Sequence, residues 1–428
     1  MKFIVFLLLI LEGVLVSATL GEIEVKGVKV PFIYEKDSTL PIASLELVFE
    51  NSGSIEDGKH LGVASFTASI LNEGTKKLGS VAFAKKLEDN AIHIGAHRGN
   101  ESFSMELSSL KEKFSDGVFY FKELLSDPNF TKESYEKIKL LKLANIEKKK
   151  SDFDYQASLA LKKLRYKGTP IANSAIGTVE SLKDLNLTNV EEFYKNHLVL
   201  SRAVVVMGGD LSEEEAKKFA SVVLSTLEVG ESKELKTFNS LEESKRVEVI
   251  KDTKQAYVYF GAPYHMKVDD KDAYKSKVAS FILGSGGFGS RLMEEVRVKR
   301  GLAYSAYART SLNRSHSSFS GYLQTKLETQ EDAIKLVKEV ISDFVKKGAT
   351  KDELEQAKKF IIGSEPLRNE TLSQRLNKTF MEYYKGLGIG YGEKELENIS
   401  KLTLEDLNKF ISNHDEINKL SFAIVTKK

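Results

Sequence analysis

Residues 62–75 read GVASFTASILNEGT, and residues 277–290 read KVASFILGSGGFGS. Both contain the string Val-Ala-Ser-Phe, both read as an apolar helix start, and both close on a glycine-bearing turn. The rest of the chain keeps nearly the same offset. Leu185-Asn186 with Phe193 is echoed by Leu402-Thr403 with Phe410, and the strand pattern at 203–207 by that at 421–425. Thr131, placed to cap a long helix, has its counterpart in Thr350. Repetition over almost the whole length means two related halves. In each, strands and helices segregate in the order of an α+β unit with a mainly antiparallel sheet. Two such domains facing one another would enclose a clam-like cleft.

The expected divisions are a leader at 1–18, a first domain at 19–229, a linker at 230–245 and a second domain at 246–428. The linker stretch, polar and lacking an apolar period, begins at Gly230. At the N-terminus, Lys2 precedes the apolar run 3–11, and Val16-Ser17-Ala18 has the small-residue spacing of a cleavage site. This reads as a secretory signal peptide, with an uncleaved anchor as the other reading. Export implies a periplasmic or otherwise exported protein, with no stable membrane span after cleavage.

The chain has 63 basic and 61 acidic residues, and this balance argues against a nucleic-acid partner. With no cysteine, stability must come from its cores and surface charge.

Seven histidines limit the search for metal and acid-base chemistry. His93 and His97 lie four apart in AIHIGAHRG, whose alternation reads as strand. At that spacing they are expected roughly 13 Å apart, too far to share a metal. Nothing near His60, His197, His265, His316 or His414 specifies a site. The glycine run at 283–290 follows a helix and lacks the Gly-Lys-Ser/Thr ending of a phosphate loop, so it reads as a flexible, closely packed turn beside a cleft. The long helix opened by Thr131 is expected to bury Leu140, Leu143 and Ile146.

The sharper pattern is RLMEEVRVKRGLAYSAY at 291–307. Arg297 ends a helical stretch, Tyr304 begins a strand, and Gly301 is the hinge between them. A guanidinium and a phenol brought to one surface can hydrogen-bond a peptide carbonyl or stabilise developing negative charge. On the residues alone, a surface ion pair for Arg297 and a packed ring for Tyr304 stand beside that reading.

SRLMEEVRVKRGLAYSAY resembles the C-terminal-half signature of the pitrilysin-type zinc peptidases, SRL-x-x-x-[IL]-R-x-x-x-G-L-x-Y, with Val296 as a mild departure. The family pattern G-x-A-H-F-L-E-H-x-L-F-x-G-T falls on Gly62 to Thr75, and G-T-x-E-S falls on Gly177 to Ser181. The resemblance covers the chain beyond the leader and implies two homologous α+β domains around a chamber. It also implies that the metal site has degenerated. The positions of the H-x-x-E-H ligands and base, and of the third ligand, are Ser65, Ala68, Ser69 and Asn145. None of the four residues is a good zinc ligand or base. Arg297 and Tyr304 match the family's substrate-contacting pair.

The resemblance therefore implies a non-catalytic subunit of a heterodimeric metallopeptidase, with no cofactor of its own. Its expected partners are a zinc-bearing homologous subunit and an unfolded or extended peptide. The other function kept open is a periplasmic peptide-binding or scaffold protein with no proteolytic role.

Overall fold

Alternation along each strand decides what its two faces do. In the strand Ile42–Glu50, Leu45, Leu47 and Phe49 are buried with Phe103, Met105 and Leu107 of the neighbouring strand, while Ser44, Glu46 and Val48 point the other way. The computed structural model describes residues 18–428, so all but the last residue of the predicted leader lies outside it. Among the described residues no helix is long and apolar enough to cross a membrane.

The first half contains β1 (Thr19–Val25), β2 (Val28–Lys36), β3 (Ile42–Glu50), β4 (His93–Arg98), β5 (Ser102–Leu110) and β6 (Ala203–Gly209). They form a sheet of order β1-β2-β6-β3-β5-β4. The second half contains β7 (Arg246–Ile250), β8 (Gln255–Ala262), β9 (Ala303–Leu312), β10 (Ser317–Lys326) and β11 (Ser421–Thr426), in the order β7-β11-β8-β10-β9. Apart from β1, the sheets have the same plan. In each, the last strand of the half enters beside the first as the sheet's one parallel pair, β2 with β6 and β7 with β11. The duplication read from the sequence is thus a duplication of topology, and both domains are α+β with mainly antiparallel sheets.

Helices cover one face of each sheet and form its core. Phe66 and Ile70 of the motif helix Val63–Leu71 join the first core, and Ile334, Val337 and Ile341 of the helix Gln330–Lys347 join the second. The caps expected at Thr131 and Thr350 are present, with two more of the same kind at Thr178 and Asn186. Thr131 accepts from the Ser134 amide, and Thr178, Asn186 and Thr350 each form a reciprocal capping box. Residues 228–245 contain no helix or strand.

The opposite faces are joined by an exchange of helices. Phe153–Arg165, from the first half, lies on β8 and β11 of the second sheet. Leu372–Tyr384, from the second half, lies on β2 and β6 of the first. Leu376, Phe380 and Tyr384, spaced by four so that they share one stripe, pack on Ile33, Val48, Val204 and Val206. Buried Glu35 accepts from Arg375 Nε at 2.6 Å, and Asp37 accepts from its Nη2 at 2.5 Å. Between the halves lies a cavity of about 960 Å³, edged by Glu50, Arg314, His265, Tyr384 and the connecting segment.

Two sequence expectations need correction. Leu140 is 70% exposed, and the long helix Lys132–Lys149 instead buries Tyr135 and Ile138, with Leu143 and Ile146 partly buried. Leu140 lies two residues beyond Ile138, on the far side of the helix. The ring nitrogens of His93 and His97 are also far closer than the backbone spacing suggested. Each Nε2 is 3.0 Å from the same Glu106 Oε1, so they cannot be more than twice that distance apart. Gly95 lies between them, and a Cβ there would lie 3.0 Å from His97 Nε2 and 3.4 Å from His93 Nε2, so the rings would have to shift slightly.

Candidate functional site

The motif helix is fixed at its start by Asp57, whose carboxylate accepts from the Gly62 and Ala64 amides at 2.7 and 3.0 Å. Burial raises the Asp57 pKa to about 7, against the pull of those two bonds. This places Ser65, Ala68 and Ser69 on successive turns, with Ser65 (5% exposed) and Ala68 buried and Ser69 half-buried. Asn145 is exposed on the long helix.

What meets Ser65 is a residue the sequence reading did not single out. Lys142 Nζ donates to Ser65 Oγ at 2.7 Å. The spacing Tyr135, Ile138, Lys142 continues the inward stripe of the long helix, and this was the available signal. Burial, with repulsion from Arg98, lowers the Lys142 pKa to about 8. These residues do not fit zinc. They offer a hydroxyl already engaged by an ammonium, a methyl group and an exposed amide, and the ammonium would repel a dication. His93, His97 and Glu106 form a separate cluster on the sheet, in which both Nε2 atoms lie 3.0 Å from the same Glu106 oxygen. Among the described residues, no group of three or more His, Cys, Asp or Glu could hold a metal ion.

A stability test follows. The lysine pKa is lower folded than unfolded, so its charge costs the folded state most below about pH 8, and the cost fades as pH rises toward the ordinary lysine value. Lys142→Met removes that cost and the bond to Ser65. The variant should be more stable than wild type by about 1–2 kcal/mol at pH 7. The gain should shrink between pH 8 and 10, as measured by urea denaturation; a pH-independent difference would contradict this account.

The other wall is built from the second echo. The chain runs through π-helical turns at Phe281–Ser285 and Met293–Val298. Gly284 is required because a Cβ there would lie 2.5 Å from the Ala308 amide nitrogen. Gly301, at φ +61°, makes the turn into β9. The result brings Arg297 and Tyr304 together, as their spacing suggested, and adds Phe288. The Arg297 guanidinium lies 4.9 Å from the Tyr304 ring centre and 4.8 Å from that of Phe288. Tyr304 is 80% and Phe288 73% exposed. No carboxylate among the described residues pairs with Arg297, so neither the surface ion pair nor the packed ring describes this site. Two aromatic faces hold the planar cation and leave its N–H edges available, an arrangement suited to recognising carbonyl or carboxylate oxygens. A lone aromatic amid glycines was the signal for Phe288.

With the duplicated fold and these two walls in place, comparison with known proteins is direct. Residues 32–179 match "Insulinase (Peptidase family M16)", and residues 184–361 match "Peptidase M16 inactive domain". The chain belongs to peptidase family M16. It is 44% identical over 427 residues to a Helicobacter pylori protein described as "Non-peptidase homolog YmxG", covering 100% of this chain and 99% of that one. A Bacillus subtilis relative, "Uncharacterized zinc protease YmxG", is 24% identical over 310 residues, covering 72% and 69% of the two chains. Among solved structures, the peptidase M16 inactive domain from Pseudomonas fluorescens superposes with a TM-score of 0.88 at 26% identity, covering 96% of this chain and 98% of that one. The chain is therefore a non-catalytic homologue built on the family's two-domain fold.

Proposed function

We propose that this chain is the metal-free half of a two-chain metallopeptidase and supplies peptide contacts to an active site completed by a zinc-bearing homologue. The observation that carries this reading is the half-buried cation of Arg297, held between the exposed rings of Phe288 and Tyr304 and without an ionic partner among the described residues. The guanidinium sits on the helical turn Met293–Val298, beside the glycine-rich turn that carries Phe288, so its N–H edges can meet a ligand lying across both. The filled site around Lys142 supports the same division of labour, since the chain has no means of activating water there. Arg297 and the Tyr304 hydroxyl would hold the substrate carbonyl and stabilise the charge that develops on its oxygen. The metal chemistry belongs to the partner. We place the complex in the periplasm or another exported compartment, in keeping with the leader-like sequence at 1–18.

The test is to mix this chain with a zinc-bearing homologue from the same genome and measure molar mass by light scattering and hydrolysis of an unstructured peptide. A heterodimer with activity absent from either chain alone is expected. Peptide binding by this chain with no complex and no gain in hydrolysis would instead favour a free-standing peptide-binding protein.

A further inference from the structure

The two sheets present matched rows of side chains to the interior, and their chemistry differs. On the first sheet, Glu46 lies opposite Glu106, and Glu106 opposite Gly95, whose neighbours His93 and His97 hold the Glu106 carboxylate. The corresponding three strands of the second sheet carry Tyr259, Tyr322 and Tyr307 side by side. Their rings contact one another across the strands, at 5.5 Å between Tyr259 and Tyr322 and 5.8 Å between Tyr307 and Tyr322. The exchanged helix Phe153–Arg165 closes over this row and leaves a cavity of about 320 Å³.

The wall of that cavity includes Lys162, Arg165, Arg309 and His316, with Ser158, Ser318 and Ser320 among its hydroxyls, and no Asp or Glu. Arg165 is occupied by Ser240 Oγ, Ser421 Oγ and the Glu243 carbonyl. Lys162 and Arg309 have no hydrogen-bond or ion-pair partner among the described residues. Protein surrounding Lys162 lowers its proton affinity, and the charge of Arg98 adds to the effect. Asp154 accepts the Tyr259 hydroxyl at 3.3 Å from outside this wall.

We propose that this cavity is a carboxylate-binding site for peptides, in which Lys162 and Arg309 take the anion and the tyrosine row packs against the residue that carries it. Two unpaired cations beside aromatic faces and hydroxyls, with no competing carboxylate in the wall, form a site whose missing component is an anion. The volume admits one residue of a chain and its neighbouring backbone, which matches either a peptide C-terminus or an Asp or Glu side chain. The site is distinct from the Arg297 surface. It rests on the preceding reading only in taking a peptide as the ligand.

The experiment is fluorescence polarisation with the full chain and labelled extended peptides of one length. One carries acidic residues and a free C-terminus, one is its C-terminal amide, and one is neutral throughout. The acidic free-acid peptide should bind at least about tenfold more tightly than the neutral one, with the advantage falling as salt rises. Lys162→Met with Arg309→Gln should remove the advantage and leave neutral-peptide binding unchanged. The amide shows whether the terminal or the side-chain carboxylate is read. Arg309→Glu, at an exposed position, repeats the test if the double variant folds poorly. Equal binding of acidic and neutral peptides overturns the inference, as does a preference that survives either variant, or displacement by inorganic phosphate but not by acetate. Arg297→Ala separates the two readings. It should weaken all three peptides alike and leave the acidic preference intact, so loss of one property without the other identifies which reading fails.

Discussion

Arg297→Ala in the mixed complex should lower kcat/KM for peptide hydrolysis by about 10²–10³-fold, the range for removing a donor to a developing oxyanion. The loss should appear mainly in kcat, because a cation that stabilises the transition state contributes less to ground-state binding. Tyr304→Phe keeps the ring on which the guanidinium stacks and removes only the hydroxyl, so its loss should be about tenfold. Phe288→Ala leaves both polar groups in place but removes one face of the stack, and should cost a few-fold through poorer positioning. This order of effects separates direct contact from support. If all three substitutions acted only by disturbing the fold, Phe288, on the outside of the loop, would matter as little as any exposed residue, and Arg297 and Tyr304 would show parallel losses of stability. Steady-state kinetics together with thermal melts of each variant distinguish the two accounts.

Arg375→Ala should destabilise the chain by about 3–5 kcal/mol, because it leaves the Glu35 carboxylate, 3% exposed, without its partner. Burial already raises the Glu35 pKa, and Arg375 counters that rise through hydrogen bonding and charge. With the arginine gone, the carboxyl's pKa should rise further, so the loss should be smaller in mild acid than at pH 8. The sign follows from linkage: a folded-state pKa raised above the unfolded value loses stability as pH rises through the interval between them. Glu35→Gln introduced with Arg375→Met should recover part of the loss, since no buried charge then remains at that pair. Hydrogen exchange should show Leu372–Tyr384 opening in Arg375→Ala well before the sheet cores. That helix is held to the first domain by one apolar stripe, this ion pair together with Asp37, and the Tyr384 hydroxyl, which donates to Glu101. Unchanged urea midpoints would show that the exchanged helices do not tie the halves together.

The features legible in the sequence are those set by local chemistry and repetition. The capping residues Thr131 and Thr350 located the starts of two long helices, and the recurring offset announced two sheets of one plan. The spacing of Arg297, Gly301 and Tyr304 was enough to bring a cation and a phenol together. What escaped depends on contacts between distant segments. Lys142 lies on an apolar-facing stripe, but only the approach of the motif helix turns it toward Ser65. Leu140 seemed a core residue because three apolar positions on one helix do not say which face the neighbour will cover. The expected distance between His93 and His97 was a backbone distance, and it ignored how far two imidazoles lean toward a carboxylate across a glycine. The helix Leu372–Tyr384 is absent from the sequence reading, although Leu376, Phe380 and Tyr384 carry a helical period. Its partner surface is on the other half of the molecule, where local sequence has no reach.

The central claim, that this chain contributes the substrate wall and not the metal, is tested most directly by measuring zinc content and peptide hydrolysis for the chain alone, the zinc-bearing homologue alone and the purified complex. The account predicts no bound zinc and no hydrolysis for this chain, one zinc per complex, and activity in the complex that a chelator removes. Stoichiometric zinc in this chain, or chelator-sensitive hydrolysis by it alone, would contradict the account.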